Sequence, residues 1–578
     1  MQWDFKAIFQ SDEEAIENAK RYSKLIGSLV DELEKVKDLN RIHQLIREIE
    51  DSTDNFSKSI QYAWMRYSVN TKEKESQKLL GTIQSLESNV GEYFAKFEVR
   101  LSKLSKKDIQ ELKKIAPNYR HFIEIIEKKK KHLLSKEAEQ VLALTSVSRR
   151  EAISKIHSKL ESSYKFKIEI DGEMKVLTSE EIKALRRSTN SDLRKRAMKV
   201  FLKRFQEDSL VITEVFNLVV KDYDLESKIR KFARPISMRN FENEVSDDVV
   251  DSLIETTNEN VNILREYYKW KSEVMNEKLT LADIYAPITT KARKFSFDEA
   301  KEIILDAYYS FSNKAGDIVK SFFDDSRIDL YPREGKIGGA YCIYSTTKLP
   351  AYVLTNFNGD MYDIMTLAHE LGHGLHGTLS KKQTYFNYDT PLTLAELASV
   401  FGEFLVFDYL KGKLDKEERL ALISSKIEDT FATTFRQNFF TNFEIRSHDL
   451  ISNSGYADWE ELNDIYYEEL RKTFGEVVEI PQWYKNEWAM ISHFFETPFY
   501  VYSYNFAHCL VIALYQKYLE EGKSFTKKYL SLLESGGSLS PNELLSKVGI
   551  DISKSDFWQK AFDFIDSLVK EIKINYNK

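Results

Sequence analysis

The scarcity of helix-breaking residues is the feature that most constrains this chain. It has only 20 glycines and 9 prolines among 578 residues, about half and a third of the usual proportions of roughly 7% and 5%. Apolar residues recur every three or four positions through long stretches such as EEAIENAKRYSKLIGSLVDELEKV near the N-terminus. This is the period of an amphipathic helix. The chain is therefore predicted to be mainly helical.

The composition bounds the class of protein. Hydrophobic residues make up 42% of the chain and aromatic residues 13%, which excludes a disordered polypeptide and predicts a large core. Lysine and arginine number 84 against 91 aspartates and glutamates, so the net charge is −7. Because nucleic-acid-binding domains are usually basic, this near balance does not favour a nucleic-acid partner. At about 100–200 residues per domain, the length corresponds to several structural units.

The cysteine count and the N-terminus indicate the compartment. Cys342 and Cys509 are the only cysteines, too few for a disulfide framework. The N-terminal MQWDFKAIFQSDEEA lacks the basic and apolar regions of a signal peptide. No stretch reaches the roughly 18 uninterrupted apolar residues that a membrane span needs. We therefore expect a cytoplasmic protein without a membrane partner, and its oligomeric state is not indicated by the sequence.

A change of period marks the first interruption of the helical pattern. Residues 163–177 alternate apolar and polar side chains on both sides of Asp171-Gly172, which predicts a hairpin with a type I′ turn. A new helical series begins near residue 190. We place a soft domain boundary there, between an N-terminal helical region, 1–190, and a second region, 191–578.

A second interruption lies at 335–359, where a glycine-rich stretch is followed by β-branched and aromatic residues. The pattern predicts a loop, then a short strand over Tyr352–Asn356, then a turn at Asn358-Gly359. An exposed strand here could bind an extended peptide through its main chain. A purely structural strand is the alternative.

The segment IMTLAHELGHGLHG carries the strongest chemical signal. His369, Glu370 and His373 form H-E-x-x-H. On a helix, residues four apart differ by only about 40° around the axis, so the two imidazoles can share one Zn²⁺. Glu370 lies one position further round the helix, where it can act as general base on a water without being a ligand. His376, three residues on, is expected to be a core or supporting histidine.

The third ligand of such a site has to come from another segment. A histidine six residues after His373, as in the metzincins, is excluded because that position is Leu379. The candidates are the carboxylates of Asp389, Glu396 and Glu403. Glu396 lies in the nearly apolar PLTLAELASVFGEFLVF, where an unpaired charge would be costly and zinc would explain it. Glu403 suits a supporting role that orients a ligand histidine, or a structural ion pair.

Candidate donors to a developing oxyanion lie downstream, in SHFFETPFYVYSYNFAH. His493 precedes a group of tyrosines, of which Tyr500 and Tyr504 share a face if the segment is helical. Phenol and imidazole groups can donate to an oxyanion. An aromatic core stripe is the alternative interpretation.

The segments NFNGDMYDIMTLAHELGHGLHG and LAELASVFGE resemble the M3 metallopeptidases, in the oligoendopeptidase F branch. Further similar segments extend the resemblance over about 110–575: IDGEMKVLTSEEI, LADIYAPI, GKIGGAYC and HFFETPFYVYSYNFA. The resemblance implies a large helical zincin-type fold with a small β element beside the active-site helix. It also implies two regions that enclose a channel for short peptides.

The resemblance also implies roles for individual residues. One zinc ion per chain would be held by His369, His373 and Glu396, with Glu370 as catalytic base. His493 and one tyrosine, Tyr504 before Tyr500, would contact the transition state. The resemblance implies a backbone contact with substrate in the loop that precedes the predicted strand, and the full set of expected substrate-binding residues is Gly338, Gly339, Ala340 and Tyr352.

We therefore expect a zinc endopeptidase that cleaves oligopeptides. The alternatives are an exopeptidase of carboxypeptidase type on the same fold, a peptide-binding protein without catalysis, and a helical scaffold with a structural zinc site. Structural zinc sites have four protein ligands, usually including cysteine. Neither cysteine lies near the H-E-x-x-H segment in the sequence.

Overall fold

The computed structural model of the chain describes residues 2–289 and 293–576. Helices dominate it, as the scarcity of glycine and proline predicted. The helices of the first half are α1 (Asp12–Leu33), α2 (Leu39–Val69), α3 (Lys74–Ser102), α4 (Lys106–Ile115), α5 (Arg120–Lys129), α6 (Lys136–Ser146), α7 (Ala152–Ser163), α8 (Ser179–Ala184), α9 (Ser191–Glu207), α10 (Ser209–Ile229), α11 (Pro235–Glu242), α12 (Asp247–Glu259) and α13 (Val261–Met275).

The second half is equally helical, and short strands complete the structure. Its helices are α14 (Phe297–Phe311), α15 (Asn313–Asp324), α16 (Met361–Ser380), α17 (Leu392–Ala395), α18 (Leu397–Lys411), α19 (Lys416–Thr430), α20 (Arg436–Ser454), α21 (Trp459–Phe474), α22 (Ser492–Glu496), α23 (Tyr502–Glu521), α24 (Lys523–Glu534), α25 (Pro541–Ser546) and α26 (Ser555–Asn575). The strands are β1 (Phe166–Ile170), β2 (Glu173–Leu177), β3 (Ile328–Asp329), β4 (Tyr341–Ile343) and β5 (Tyr352–Leu354).

The chain divides into two compact units whose segments alternate along the sequence. The first unit comprises Met1–Lys131, Arg293–Lys413 and Lys517–Ile550. The second comprises His132–Ala292, Leu414–Gln516 and Asp551–Lys578. Residue 190 lies inside the second unit, so this division differs from the boundary expected from the sequence. Within the described residues, no helix is both long and apolar enough to cross a bilayer.

The predicted hairpin is confirmed in the second unit. Strands β1 and β2 pair antiparallel, with Phe166 opposite Leu177 and Ile170 opposite Glu173. Asp171 and Gly172 both adopt positive φ, 53° and 82°, as a type I′ turn requires. The helix that follows, α8, begins with a capping box formed by Thr178 and Glu181.

A three-stranded sheet, in the order β3-β5-β4, lies in the first unit. The central strand β5 confirms a strand at Tyr352, but it is buried rather than exposed: it pairs with β3 on one side and β4 on the other. Tyr352 is 6% exposed and belongs, with Leu354, to the apolar core that α1–α3 form. The outer strands are β3 and β4, and β4 lies within the stretch predicted to be a loop.

Helices α16 and α18 of the first unit cross very closely. At the crossing Gly372 of α16 faces the backbone of Ala398 and Ser399, and a Cβ atom on Gly372 would clash with both. Gly402 of α18 in turn faces the hydroxyl of Tyr308, which donates to the carbonyl of Ala368 at 2.9 Å. Glycine at these two positions therefore sets how near the two helices can approach.

We predict that Gly372→Ala destabilises the protein by about 1–3 kcal/mol, because an overpacked contact forces the helices apart. Gly81→Ala is the matched control, since Gly81 lies inside α3 with nothing within 4 Å of an added Cβ. That substitution should stabilise by about 0.5–1 kcal/mol through helix propensity. Urea unfolding of both variants measures the difference. Equal stability of Gly372→Ala and the wild type would contradict the close crossing.

Candidate active site

Helix α16 brings the two histidines of the H-E-x-x-H segment together. The helix begins with a capping box between Asp360 and Asp363 and continues unbroken through both histidines. The rings of His369 and His373 lie 4.8 Å apart, centroid to centroid, and nearly perpendicular at 79°. Their side chains are 26% and 16% exposed. The pair thus projects from one face, as expected from the four-residue spacing.

Glu396 occupies the single-residue break between α17 and α18, with φ −88° and ψ 4°. The break directs its carboxylate toward the histidines, so that Oε2 lies 3.3 Å from His369 Nε2 and 3.4 Å from His373 Nε2. Ser399 donates to the same oxygen at 2.5 Å. Burial opposes the charge on Glu396, but the two histidines and Ser399 outweigh it and hold its pKa below the usual value.

Potential metal-ligand atoms of His369, His373 and Glu396 lie within 4.8 Å of one another. Of the three candidate carboxylates, the structure therefore brings Glu396 to the histidines. Asp389 lies on the wall of a nearby cavity. Glu403 lies on the far side of His369, where its Oε1 is 2.7 Å from Nδ1. This contact assigns the proton of His369 to Nδ1 and leaves Nε2 free to bind a metal.

Glu370 is 7% exposed and is not one of the three clustered residues. The backbone N–H of Cys342 in strand β4 faces its carboxylate and favours the charged form. Burial raises the pKa of Glu370 to about 7. A carboxylate with such a pKa exchanges protons easily near neutral pH, as a general base must.

His376 takes no part in this group. It is 2% exposed, and neither ring nitrogen has a hydrogen-bond partner in the described part of the chain. Burial lowers its pKa to about 3, so the ring is neutral. This matches the expectation of a core histidine.

A cavity of about 670 Å³ adjoins Glu370 and His373 within the first unit. Strand β4 forms part of its wall, and in the described part of the chain the sheet order gives β4 a partner strand on one edge only. The further lining residues come from the N-terminal helices and from the segment after α16; they are Ser57, Ile60, Glu87, Tyr385, Tyr388 and Asp389.

The expected substrate-binding residues are distributed unevenly around this cavity. Ala340 lines it. Gly338 and Gly339 precede the lining stretch, and Gly339, at φ 73°, accepts a hydrogen bond from Asn356 at 2.8 Å. Tyr352 lies in the buried central strand, so its main chain cannot pair with a peptide. Strand β4 holds the edge position instead.

His493, Tyr500 and Tyr504 form a cluster of three rings in the second unit. Tyr504 Oη lies 3.2 Å from His493 Nε2. The rings of His493 and Tyr500 are parallel, 5.4 Å apart, and Tyr504 stands edge-on to both. All three are only partly buried. Burial lowers the pKa of His493, which favours the neutral ring.

Sequence reasoning missed two parts of this site. The first is the position of strand β4 beside the site, where the Cys342 N–H faces Glu370; in the sequence, only the preceding Gly338-Gly339 pointed to it. The lining residues of α2 and α3, Ser57 and Glu87, carry no motif at all. They reach the cavity only because the N-terminal helices pack against the sheet.

Comparison with known proteins assigns the family. The sequence pattern of peptidase family M3 matches residues 184–564, and that of oligopeptidase F matches 100–166. An oligoendopeptidase F homolog of Borreliella burgdorferi is 29% identical over 99% of this chain and 97% of its own. Oligopeptidase PepF of Bacillus subtilis is 26% identical over 99% of this chain and 88% of its own.

Solved structures share the fold. A crystal structure from Chlamydophila abortus superposes with a TM-score of 0.87, at 24% identity, covering 99% of this chain and 98% of the other. Oligoendopeptidase-F from Enterococcus faecium gives a TM-score of 0.72 at 23% identity, covering 96% and 98%. The large helical fold expected from the sequence is thereby confirmed. With two thirds of its length matched by the family pattern, the chain belongs to peptidase family M3 and is a metalloendopeptidase.

Proposed function

We propose that this chain is a zinc-dependent endopeptidase of short oligopeptides, with Glu370 as the general base. The observation that carries the proposal is the spacing of His369, His373 and Glu396. The oligopeptide substrate class is supported by the names of the relatives, which are oligopeptidases and oligoendopeptidases. The expected cytoplasmic location and the absence of a nucleic-acid partner stay predictions.

The donor set fits zinc. Two ligands of a tetrahedral zinc with bonds of about 2.0–2.1 Å lie roughly 3.3 Å apart. Glu396 Oε2 lies 3.3 Å and 3.4 Å from the two histidine nitrogens, beyond the usual hydrogen-bond range of about 2.7–3.2 Å. Catalytic zinc sites have three protein ligands, whereas structural sites have four. A group of three therefore favours catalysis over a structural zinc.

The residues around the group divide the chemistry between them. A bound zinc ion would supply Lewis-acid activation of water and of the scissile carbonyl. Glu370 accepts the proton of the attacking water on its carboxylate and passes it to the leaving amine. The Cys342 N–H faces this carboxylate and favours its charged form. Glu403 keeps the His369 ring oriented through Nδ1.

Strand β4 is the proposed docking edge for the peptide. Its outer edge, which pairs with no strand among the described residues, offers main-chain groups beside Glu370, with Gly338, Gly339 and Ala340 leading into it. Pairing through the main chain would accept many side chains. The cavity of about 670 Å³ has the size of a pocket that holds a small ligand or a few residues of a peptide.

We also propose that His493 and Tyr504 stabilise the oxyanion of the tetrahedral intermediate, with Tyr500 supporting them. Support comes from their hydrogen bond, from the neutral His493 ring, and from the partial exposure of all three side chains. A phenol hydroxyl held by a neutral imidazole can donate to a developing negative charge.

Glu370→Gln should reduce kcat by at least about 10²–10⁴-fold, because the amide cannot accept a proton. Zinc content should be unchanged, since Glu370 is not a ligand. Peptide hydrolysis and metal analysis on the same preparation check both statements. Glu334→Gln is the control for the same chemical change at an exposed site, 87% accessible. Turnover that survives Glu370→Gln would exclude Glu370 as the base.

Glu403→Gln should weaken zinc binding by roughly 10–100-fold, because it removes the charge that orients and polarises His369. Competition with a fluorescent chelator measures the affinity. Asp408→Asn makes an equal charge change on the same helix, at a side chain that is 41% exposed, and should leave the affinity unchanged. If Glu403→Gln and the wild type bind zinc equally tightly, the 2.7 Å contact between Glu403 and His369 has no role in metal binding.

A further inference from the structure

The loop 497–501, between α22 and α23, contains an unusual backbone conformation. Phe499 adopts φ 58°, in the left-handed region that non-glycine residues seldom occupy and that is least favourable for bulky ones. Its ring is 1% exposed. The loop directly joins the helix of His493 to that of Tyr504, and Tyr500 is the next residue. The conformation of Phe499 therefore bears on all three rings of the cluster.

A buried carboxylate holds this conformation. The Phe499 N–H donates to Glu444 Oε1 of α20 at 2.7 Å. Glu444 is 1% exposed, and its other oxygen, Oε2, has no hydrogen-bond partner among the described residues. Burial raises the pKa of Glu444 to about 8, although the Phe499 N–H and Arg239 act in the opposite direction. Such a group is costly to bury, and an apolar residue could occupy its place at lower cost.

Two further contacts fix the residues around this hydrogen bond. Arg239 Nε donates to the carbonyl oxygen of Pro498 at 3.4 Å. The ring of His448 packs against the Phe499 ring, with the two ring centroids 4.4 Å apart. His448 is itself fixed by Asp224, with Nδ1 2.7 Å from Oδ1. Glu444 and Arg239 thus restrain the backbone of the loop, and His448 restrains the Phe499 side chain.

The loop transmits this restraint to the cluster through consecutive turns. The Thr497 N–H bonds to the His493 carbonyl at 2.9 Å, and the Tyr500 N–H to the Thr497 carbonyl at 3.1 Å. The Tyr504 N–H bonds to the Val501 carbonyl at 3.2 Å. A rotation at Phe499 would therefore move Tyr500 away from the face of His493 and shift the start of α23.

From these contacts we infer that Glu444 is a positioning residue for catalysis. It stabilises the left-handed conformation of Phe499 and thereby keeps Tyr500 and Tyr504 in register with His493. This inference rests on the proposed role of that cluster in peptide hydrolysis. Glu444 itself touches none of the reacting atoms and acts through the Phe499 N–H.

Three substitutions of Glu444 separate its properties. Glu444→Gln keeps an acceptor oxygen at the same reach, Glu444→Asp keeps the acid but withdraws it by one methylene, and Glu444→Leu removes the acceptor at similar volume. Thr441→Val is the control, because it deletes a partly buried hydrogen bond to the Gln437 carbonyl, one turn away on α20. Hydrogen–deuterium exchange of the 497–504 segment and steady-state peptide hydrolysis are measured on each full-length, zinc-loaded variant.

We expect Glu444→Asp and Glu444→Leu to speed exchange in 497–504 and to lower kcat by roughly 10²-fold, the cost of misplacing a catalytic group. KM should change little, since the substrate-binding edge is elsewhere in the chain. Glu444→Gln and Thr441→Val should behave as wild type in both measurements. Phe499→Gly added to Glu444→Leu should recover part of kcat, because glycine adopts the left-handed conformation without support.

The outcomes distinguish this inference from the proposed function. Tyr504→Phe, measured alongside, should lower kcat by roughly 10²–10³-fold if the cluster binds the oxyanion. Full activity of Tyr504→Phe would overturn both the role of the cluster and the inference. A loss in Tyr504→Phe with wild-type kcat in Glu444→Asp would overturn the inference alone. So would a Glu444→Gln variant as impaired as Glu444→Asp. Glu444→Asp and Glu444→Gln decide the question even if Glu444→Leu does not fold.

Discussion

The close crossing of α16 and α18 is the constraint on which the metal site depends. Gly372 and Gly402 let the two helices approach until backbone meets backbone. Only at that distance do Glu396 and Glu403, seven residues apart in the sequence, reach His369 from two sides. Glu396 approaches Nε2 and Glu403 approaches Nδ1. A wider separation would lose both contacts, so the small residues of the crossing matter as much to the site as its charged ones.

The same crossing brings several carboxylates close together, and a metal ion would compensate their negative charge. Glu370, Glu396 and Glu403 are gathered around two partly buried histidines of the first unit. Burial is the main cause of the raised pKa of Glu370, and the neighbouring charges of Glu396 and Glu403 raise it further, because like charges so close together oppose each other's ionisation. A divalent cation would compensate two of these charges and is compatible with the 3.3 and 3.4 Å spacing around Glu396.

Much of this could be predicted from the sequence because the relevant signals are local. The four-residue spacing of His369 and His373 follows from helix geometry, and the Asp171-Gly172 turn follows from its own backbone preferences. The position of the third ligand depends on a less local feature. The sequence pattern predicts one apolar helix around Glu396, whereas Glu396 occupies a break between two helices that no glycine or proline marks. Strand β4 is only three residues long, too short for a periodic pattern.

Other features arise only from tertiary contacts. Glu444 is an ordinary glutamate on a long helix, and only the fold brings it to the Phe499 N–H, 55 residues along the chain. The alternation of the two units could not be predicted either, because no linker of proline, glycine or serine marks the points where the chain passes from one to the other. The amino-acid composition of a segment does not indicate which distant segments it will contact in the fold.

The central claim is that one zinc ion, held by His369, His373 and Glu396, supports internal cleavage of short peptides. Mass spectrometry of the products from peptides of graded length, before and after removal of the metal by a chelator, tests it most directly. We predict internal cuts, confined to the shorter peptides, that disappear with the chelator and return with zinc. Cleavage that persists without metal, or intact peptides with the zinc-loaded protein, would contradict the account.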